Sequence, residues 1–137
     1  MTLYSKDILR RSKNFRMVEK PSVVTHSHRV SNPICGDRVE CLLNVSNDRV
    51  VDAWIEVKGC ALCKASASLL SDNLLGLSIH QVSNRTEKFL DDVNALLDGQ
   101  SIMGEASLFE ALPLAPARQE CVLLPWRCLS VALNQEM

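Results

Sequence analysis

The sequence predicts an α+β fold, with three short strands in the first half of the chain and helices after them. Three observations carry this. Apolar and polar residues alternate over 23–30, 39–45 and 51–57, the two-residue period of a strand with one buried face. The stretches 61–75 and 78–98 instead space their apolar residues three and four apart and are rich in strong helix formers. The chain has 137 residues, enough to bury roughly two thirds of the surface its unfolded form exposes without a staple. A single domain over 1–137 is expected, with an amino-terminal helix and arm over 1–22 and a connector over 99–116.

The elements follow in order. Leu3, Ile8 and Leu9 give residues 3–12 a narrow amphipathic stripe, and so a short helix. In the first strand Val24, His26, His28 and Val30 share a half-polar face that suits a sheet edge, where the two histidines are read as edge residues rather than a metal pair. After a turn over 31–37, Val39, Cys41, Leu43 and Val45 share one face of the second strand, and Val51, Ala53, Ile55 and Val57 one face of the third. Asn47-Asp48 supplies the hairpin turn between them. Gly59-Cys60 closes the third strand, and a helix runs from Ala61 to Leu75, stopped by Gly76. Ser78 and Gln81 have the spacing of a capping box, which opens a helix ending at Gly99. The last helix is expected from about Ala117. Pro125 should kink or restart it, because proline lacks an N–H and crowds the carbonyl four residues back.

Composition excludes several classes. With 15 Lys+Arg against 16 Asp+Glu the chain has no basic field for nucleic acid, and 4% aromatics are too few for base-stacking platforms. No run of about 18 apolar residues offers a membrane span. No membrane or nucleic-acid partner is expected.

Six cysteines stand out: Cys35, Cys41, Cys60, Cys63, Cys121 and Cys128. Residues 1–16 are broken by charge and lack the apolar core of a secretion signal, which points to a reducing, cytoplasmic setting and to thiol or metal chemistry rather than disulfides. Cys41 and Cys128 fall in apolar stretches and are expected in the core. Cys35, Cys60 and Cys121 fall at element ends, where side chains can converge. Gly36 allows Cys35 and Asp37 to face one point. Three thiolates and a carboxylate suit zinc or an iron–sulfur cluster with one exchangeable corner, although the spacing alone is unspecific.

Three segments then carry a resemblance: Asn32-Pro33-Ile34-Cys35-Gly36-Asp37, Gly59-Cys60-Ala61-Leu62-Cys63-Lys64-Ala65-Ser66-Ala67-Ser68, and Arg118-Gln119-Glu120-Cys121-Val122-Leu123-Leu124-Pro125-Trp126. In order and spacing they resemble the signatures of the IscU/NifU-type iron–sulfur cluster assembly proteins. The resemblance implies a small three-stranded antiparallel sheet packed against helices. The third segment has Glu120 where the scaffold branch has histidine, and its Arg-x-x-Cys pattern is similar to the SufU-like branch. That implies Zn2+ held by Cys35, Asp37, Cys60 and Cys121, with Cys35 accepting persulfide sulfur from a cysteine desulfurase for downstream iron–sulfur assembly proteins. Two alternatives stand beside it: a scaffold for a transient [2Fe-2S] cluster, and a zinc-stabilised interaction module.

Three positions depart from the family pattern. Cys63 replaces a serine, Val57 a glycine, and Glu120 the lysine of the SufU-like branch. Cys63, one helical turn from Cys60, is either a packing residue or an auxiliary ligand or resolving thiol. Lys58, Lys64 and Arg118 flank the motifs, as solvated charges or as cations that favour thiolates.

Overall fold

The computed structural model describes residues 6–14, 20–33, 36–97, 109 and 116–134. The elements are α1 (Lys6–Asn14), β1 (His26–Ser31), β2 (Arg38–Ser46), β3 (Arg49–Lys58), α2 (Ala61–Ser71), α3 (Ile79–Leu97) and α4 (Pro116–Leu133). The strands form one antiparallel sheet in the order β1-β2-β3. The α+β architecture of a three-stranded sheet backed by helices is as expected. Leu3 and, apart from Phe109 and Pro116, the connector over 99–116 lie outside the described residues.

One face of the sheet makes the core. Val39, Cys41 and Leu43 of β2 and Ala53 and Ile55 of β3 are buried there with the apolar residues of α2 and α4. Asn47 and Asp48 both take positive φ, +50° and +64°, the backbone twist a two-residue hairpin turn needs. The face expected for β3 is corrected at its start. Asn44 pairs with Asp52 but Val45 with Val50, so β3 carries one extra residue, and this bulge turns Val50 into the core while Val51 is 49% exposed. Trp54, on the opposite face by alternation, is buried under Lys20, whose Nζ lies 4.7 Å from the ring centroid.

Four further expectations are revised. β1 begins at His26 rather than Val23, and Val23 and Val24 are exposed. His26 is buried rather than a polar edge residue: its Nδ1 lies 2.8 Å from Thr25 Oγ1, and that hydroxyl also accepts the Val45 amide. α2 stops at Ser71, four residues early, because Asp72 is extended and Asn73 takes φ +60°, which folds Leu74 back into the core. α4 begins at Pro116, where a missing N–H costs nothing, and continues through Pro125 without restarting. The burial of Trp126, Cys128, Leu129, Ala132 and Leu133 beyond that proline holds the helix by packing. The capping box is present: the Ser78 amide donates to Gln81 Oε1 at 2.9 Å, and the Gln81 amide to Ser78 Oγ at 3.1 Å.

Cys41 and Cys128 are buried, as expected. The Cys128 thiol faces the carbonyls of His28, at 3.4 Å, and Val39, at 3.6 Å. Contact with the Cys128 thiol, then burial, pushes the Cys41 thiol well above its ordinary value. A thiol whose folded pKa is raised favours the folded state while protonated, and this contribution falls as pH rises past the unfolded value of about 8.5. Thermal unfolding followed between pH 7 and 10 should therefore show an alkaline loss of stability that is smaller in Cys41→Ala; identical pH slopes would contradict this reading.

Candidate metal centre

The sheet register builds the site. Arg38 pairs with Lys58, so the residues just beyond the ladder, Asp37 on one side and Gly59-Cys60 on the other, are brought together. Asn32 and Asp37 close the turn before β2: the Asn32 amide donates to the Asp37 carbonyl at 2.8 Å and the Gly36 amide to the Asn32 carbonyl at 2.7 Å. Gly36 takes φ +77°, a conformation that side chains rarely adopt.

Asp37 is 2% exposed. Its Oδ1 accepts the Cys60 amide at 3.1 Å, and the Cys60 thiol lies 3.4 Å from Oδ2. Gly59 makes the approach possible, since a Cβ there would stand 2.3 Å from Asp37 Oδ1. Cys60 is the extended N-cap residue of α2 and is half-buried. α4 brings in Cys121 from its second turn, 2% exposed. The ligand atoms of Asp37, Cys60 and Cys121 all lie within 4.8 Å of one another.

This donor set fits a soft divalent ion. Tetrahedral zinc with bonds near 2.3 Å sets its ligand atoms about 3.8 Å apart, within reach of the observed spacing, and two thiols with one carboxylate leave a fourth position to fill. Burial pushes the Cys60 thiol up. The Cys63 amide lowers it, the Asp37 charge raises it, and the Cys121 thiol lowers it again, for a net rise. A metal must displace this thiol's proton to bind.

Of the sequence-predicted residues, the structure gathers Asp37, Cys60 and Cys121. Cys35 lies outside the described residues, as does the Arg118 side chain. Cys63 is fully buried among core residues and is not in the ligand group. Lys58 is exposed, 3.9 Å from Glu56, and Lys64 is half-buried with its amide donating to the Cys60 carbonyl at 3.1 Å. Glu120 pairs with Arg127 along the exposed side of α4. The role of Gly59 escaped the sequence reading. Its position directly before Cys60 was the available signal.

A small antiparallel sheet backed by helices, with thiols and a carboxylate gathered at one end, defines a class of α+β proteins that present soft ligands at a chain-built site. This chain belongs to the family described as the NifU-like N terminal domain, matched over residues 3–133. It is similar to the zinc-dependent sulfurtransferase SufU of Bacillus subtilis strain 168, 30% identical over 138 residues that cover 98% of this chain and 92% of the relative. The iron–sulfur cluster assembly scaffold protein IscU of Thermotoga maritima is 27% identical over 140 residues, covering 97% and 94%. Among solved structures, the SufU protein of Fervidobacterium islandicum AW-1 superposes with a TM-score of 0.78 at 26% identity, covering 96% of this chain and 97% of that one. The NifU-like protein of Brucella abortus shares the fold, with a TM-score of 0.76 at 23% identity over 96% of this chain and 92% of its own. The family is one of iron–sulfur cluster assembly. No helix among the described residues is long and apolar enough to cross a membrane.

Two outcomes follow from this geometry. Gly59→Ala must evict the Asp37 carboxylate, and should lower stability by roughly 1–3 kcal/mol while weakening metal binding; unchanged affinity in a competition titration would show that the close approach is not required. Metal uptake should release protons, with affinity falling roughly tenfold for each unit drop in pH and each thiol deprotonated. Titrations at pH 6, 7 and 8 that gave one affinity would exclude thiol ligands.

Proposed function

We propose that this protein accepts persulfide sulfur from a cysteine desulfurase in iron–sulfur cluster biogenesis, with Zn2+ held by Cys35, Asp37, Cys60 and Cys121 and with Cys35 as the acceptor. The observation that carries the reading is the convergence of Asp37, Cys60 and Cys121 within 4.8 Å. It agrees with the description of the Bacillus subtilis relative as a zinc-dependent sulfurtransferase. Bound zinc stabilises the thiolates and so keeps them deprotonated at neutral pH.

The chain's own residues divide the work. Cys60 and Cys121 are anchored by α2 and α4. Asp37, the hardest of the four donors, is the corner most easily exchanged. Cys35 directly precedes Gly36 in the sequence, and we assign it as the thiol that reaches the partner. In the transfer, the Cys35 thiolate attacks the outer sulfur of the partner's persulfide. A new S–S bond forms on Cys35, the partner's S–S bond breaks, and the partner cysteine departs as a thiolate that takes up a proton. There is no net oxidation. We assign the work to the cytoplasm.

The scaffold reading, suggested by the name of the Thermotoga maritima relative, draws less support from this chain. It gains from an extra soft ligand, and Cys63, the candidate for that part, does not join the group formed by Asp37, Cys60 and Cys121.

Mass mapping after a short reaction with a cysteine desulfurase and free cysteine tests the proposal. Persulfide should appear on Cys35, be absent in Cys35→Ser, and persist in Cys63→Ser. Label that survives Cys35→Ser, or no label on any variant alongside an air-sensitive chromophore on the wild type, would contradict it. The second result would favour the scaffold.

A further inference from the structure

The two helices that carry Cys60 and Cys121 are tied by one fully buried serine. Ser66 Oγ donates to the Val122 carbonyl and accepts the Trp126 Nε1–H at 3.0 Å, and Ser66 itself has no exposed surface. The directions are fixed by chemistry: indole nitrogen is only a donor and a carbonyl only an acceptor, so the single hydroxyl proton must go to α4. A helical serine usually returns that proton to the carbonyl four residues back on its own helix. Here it is spent between helices.

The place of this bond matters. Val122 directly follows Cys121, and Ser66 lies six residues along α2 from Cys60, about 9 Å at the helical rise. Pro125 has no N–H for the turn that holds Cys121, so that turn is less firmly tied by α4 alone. The indole is fixed in turn, stacked on Phe89 with centroids 4.0 Å apart, and the Arg85 guanidinium lies 5.2 Å from its centroid. Arg85 also donates to the Leu69 and Leu70 carbonyls at the end of α2, at 2.8 Å and 3.1 Å. The tie thus closes across α2, α3 and α4.

We infer that Ser66 is a positioning residue of the metal centre: its hydroxyl, bonded to the Val122 carbonyl and backed by Trp126, sets the separation of Cys60 and Cys121. The inference rests on the metal-binding reading above and adds to it a residue that touches no ligand. Remote partners that orient metal ligands commonly change affinity by roughly 10- to 100-fold when removed.

The test uses Co2+ as a spectroscopic stand-in for zinc in the full chain. Wild type, Ser66→Ala, Trp126→Phe and Phe89→Leu are titrated, with melting of the metal-free proteins measured alongside. Ser66→Ala should lose at least about tenfold in Co2+ affinity and shift the thiolate-to-cobalt absorption. Trp126→Phe, which keeps an aromatic ring and the Ser66–Val122 bond but loses the indole N–H, should lose less. Phe89→Leu should melt earlier but keep the wild-type absorption. If Ser66→Ala and Phe89→Leu lose affinity only in proportion to their loss of metal-free stability, with unchanged absorption, Ser66 is a packing residue and the inference fails. If Ser66→Ala does not fold, a larger loss in Trp126→Phe than in Phe89→Leu at equal melting temperature supports the tie, and equal losses overturn it. A wild type that takes up no Co2+ would instead remove the metal-binding reading itself.

Discussion

The Asp37 carboxylate packs where a Cβ on Gly59 would lie 2.3 Å from Oδ1, and this close approach joins the turn before β2 to the loop after β3. Burying a carboxylate costs several kcal/mol unless donors or a cation compensate. The Cys60 amide supplies one donor and the Cys60 thiol a second, weaker one. Because the carboxylate is held by the same residue whose sulfur it approaches, it cannot be placed without also placing that sulfur. The sheet register makes this possible, since Arg38 and Lys58 stand opposite and each leads directly into the site.

The third group arrives from far along the chain. Cys121 belongs to a helix whose remaining buried residues serve the core, so its position is decided by packing rather than by local geometry. A centre assembled in this way couples metal binding to folding: the β2 turn, the α2 N-terminus and α4 must all be in place before the ligand atoms meet, and coordination in turn holds three elements together. The raised Cys60 thiol fits the same logic. Without an ion the group is neutral and weakly tied, and with one it becomes a charged anchor.

Much of this was legible in the sequence, for physical reasons that differ by element. The hairpin was, because alternation and Asn47-Asp48 are local signals. So was the capping box at Ser78 and Gln81. The bulge that exchanges Val50 for Val51 was not, since both valines suit either face and only pairing with β2 decides between them. The end of α2 was missed because the apolar spacing continues to Leu74, although Asp72 and Asn73 had already left the helix. His26 reads as polar yet is buried, through a bond to a neighbouring threonine that periodicity cannot reveal. At the site, the ligand types and their order were visible in three short segments. That Asp37 would be buried, and that Cys63 would be fully buried outside the group of Asp37, Cys60 and Cys121, depended on tertiary packing.

Under the proposed function a thiolate and carboxylate set from this one chain holds a zinc ion. X-ray absorption at the zinc edge, on protein isolated without chelator, tests it most directly. About one zinc per chain is expected, with three sulfur neighbours near 2.3 Å and one oxygen near 2.0 Å. A shell made only of nitrogen and oxygen, or isolated protein that carries no metal and takes up none, would contradict it.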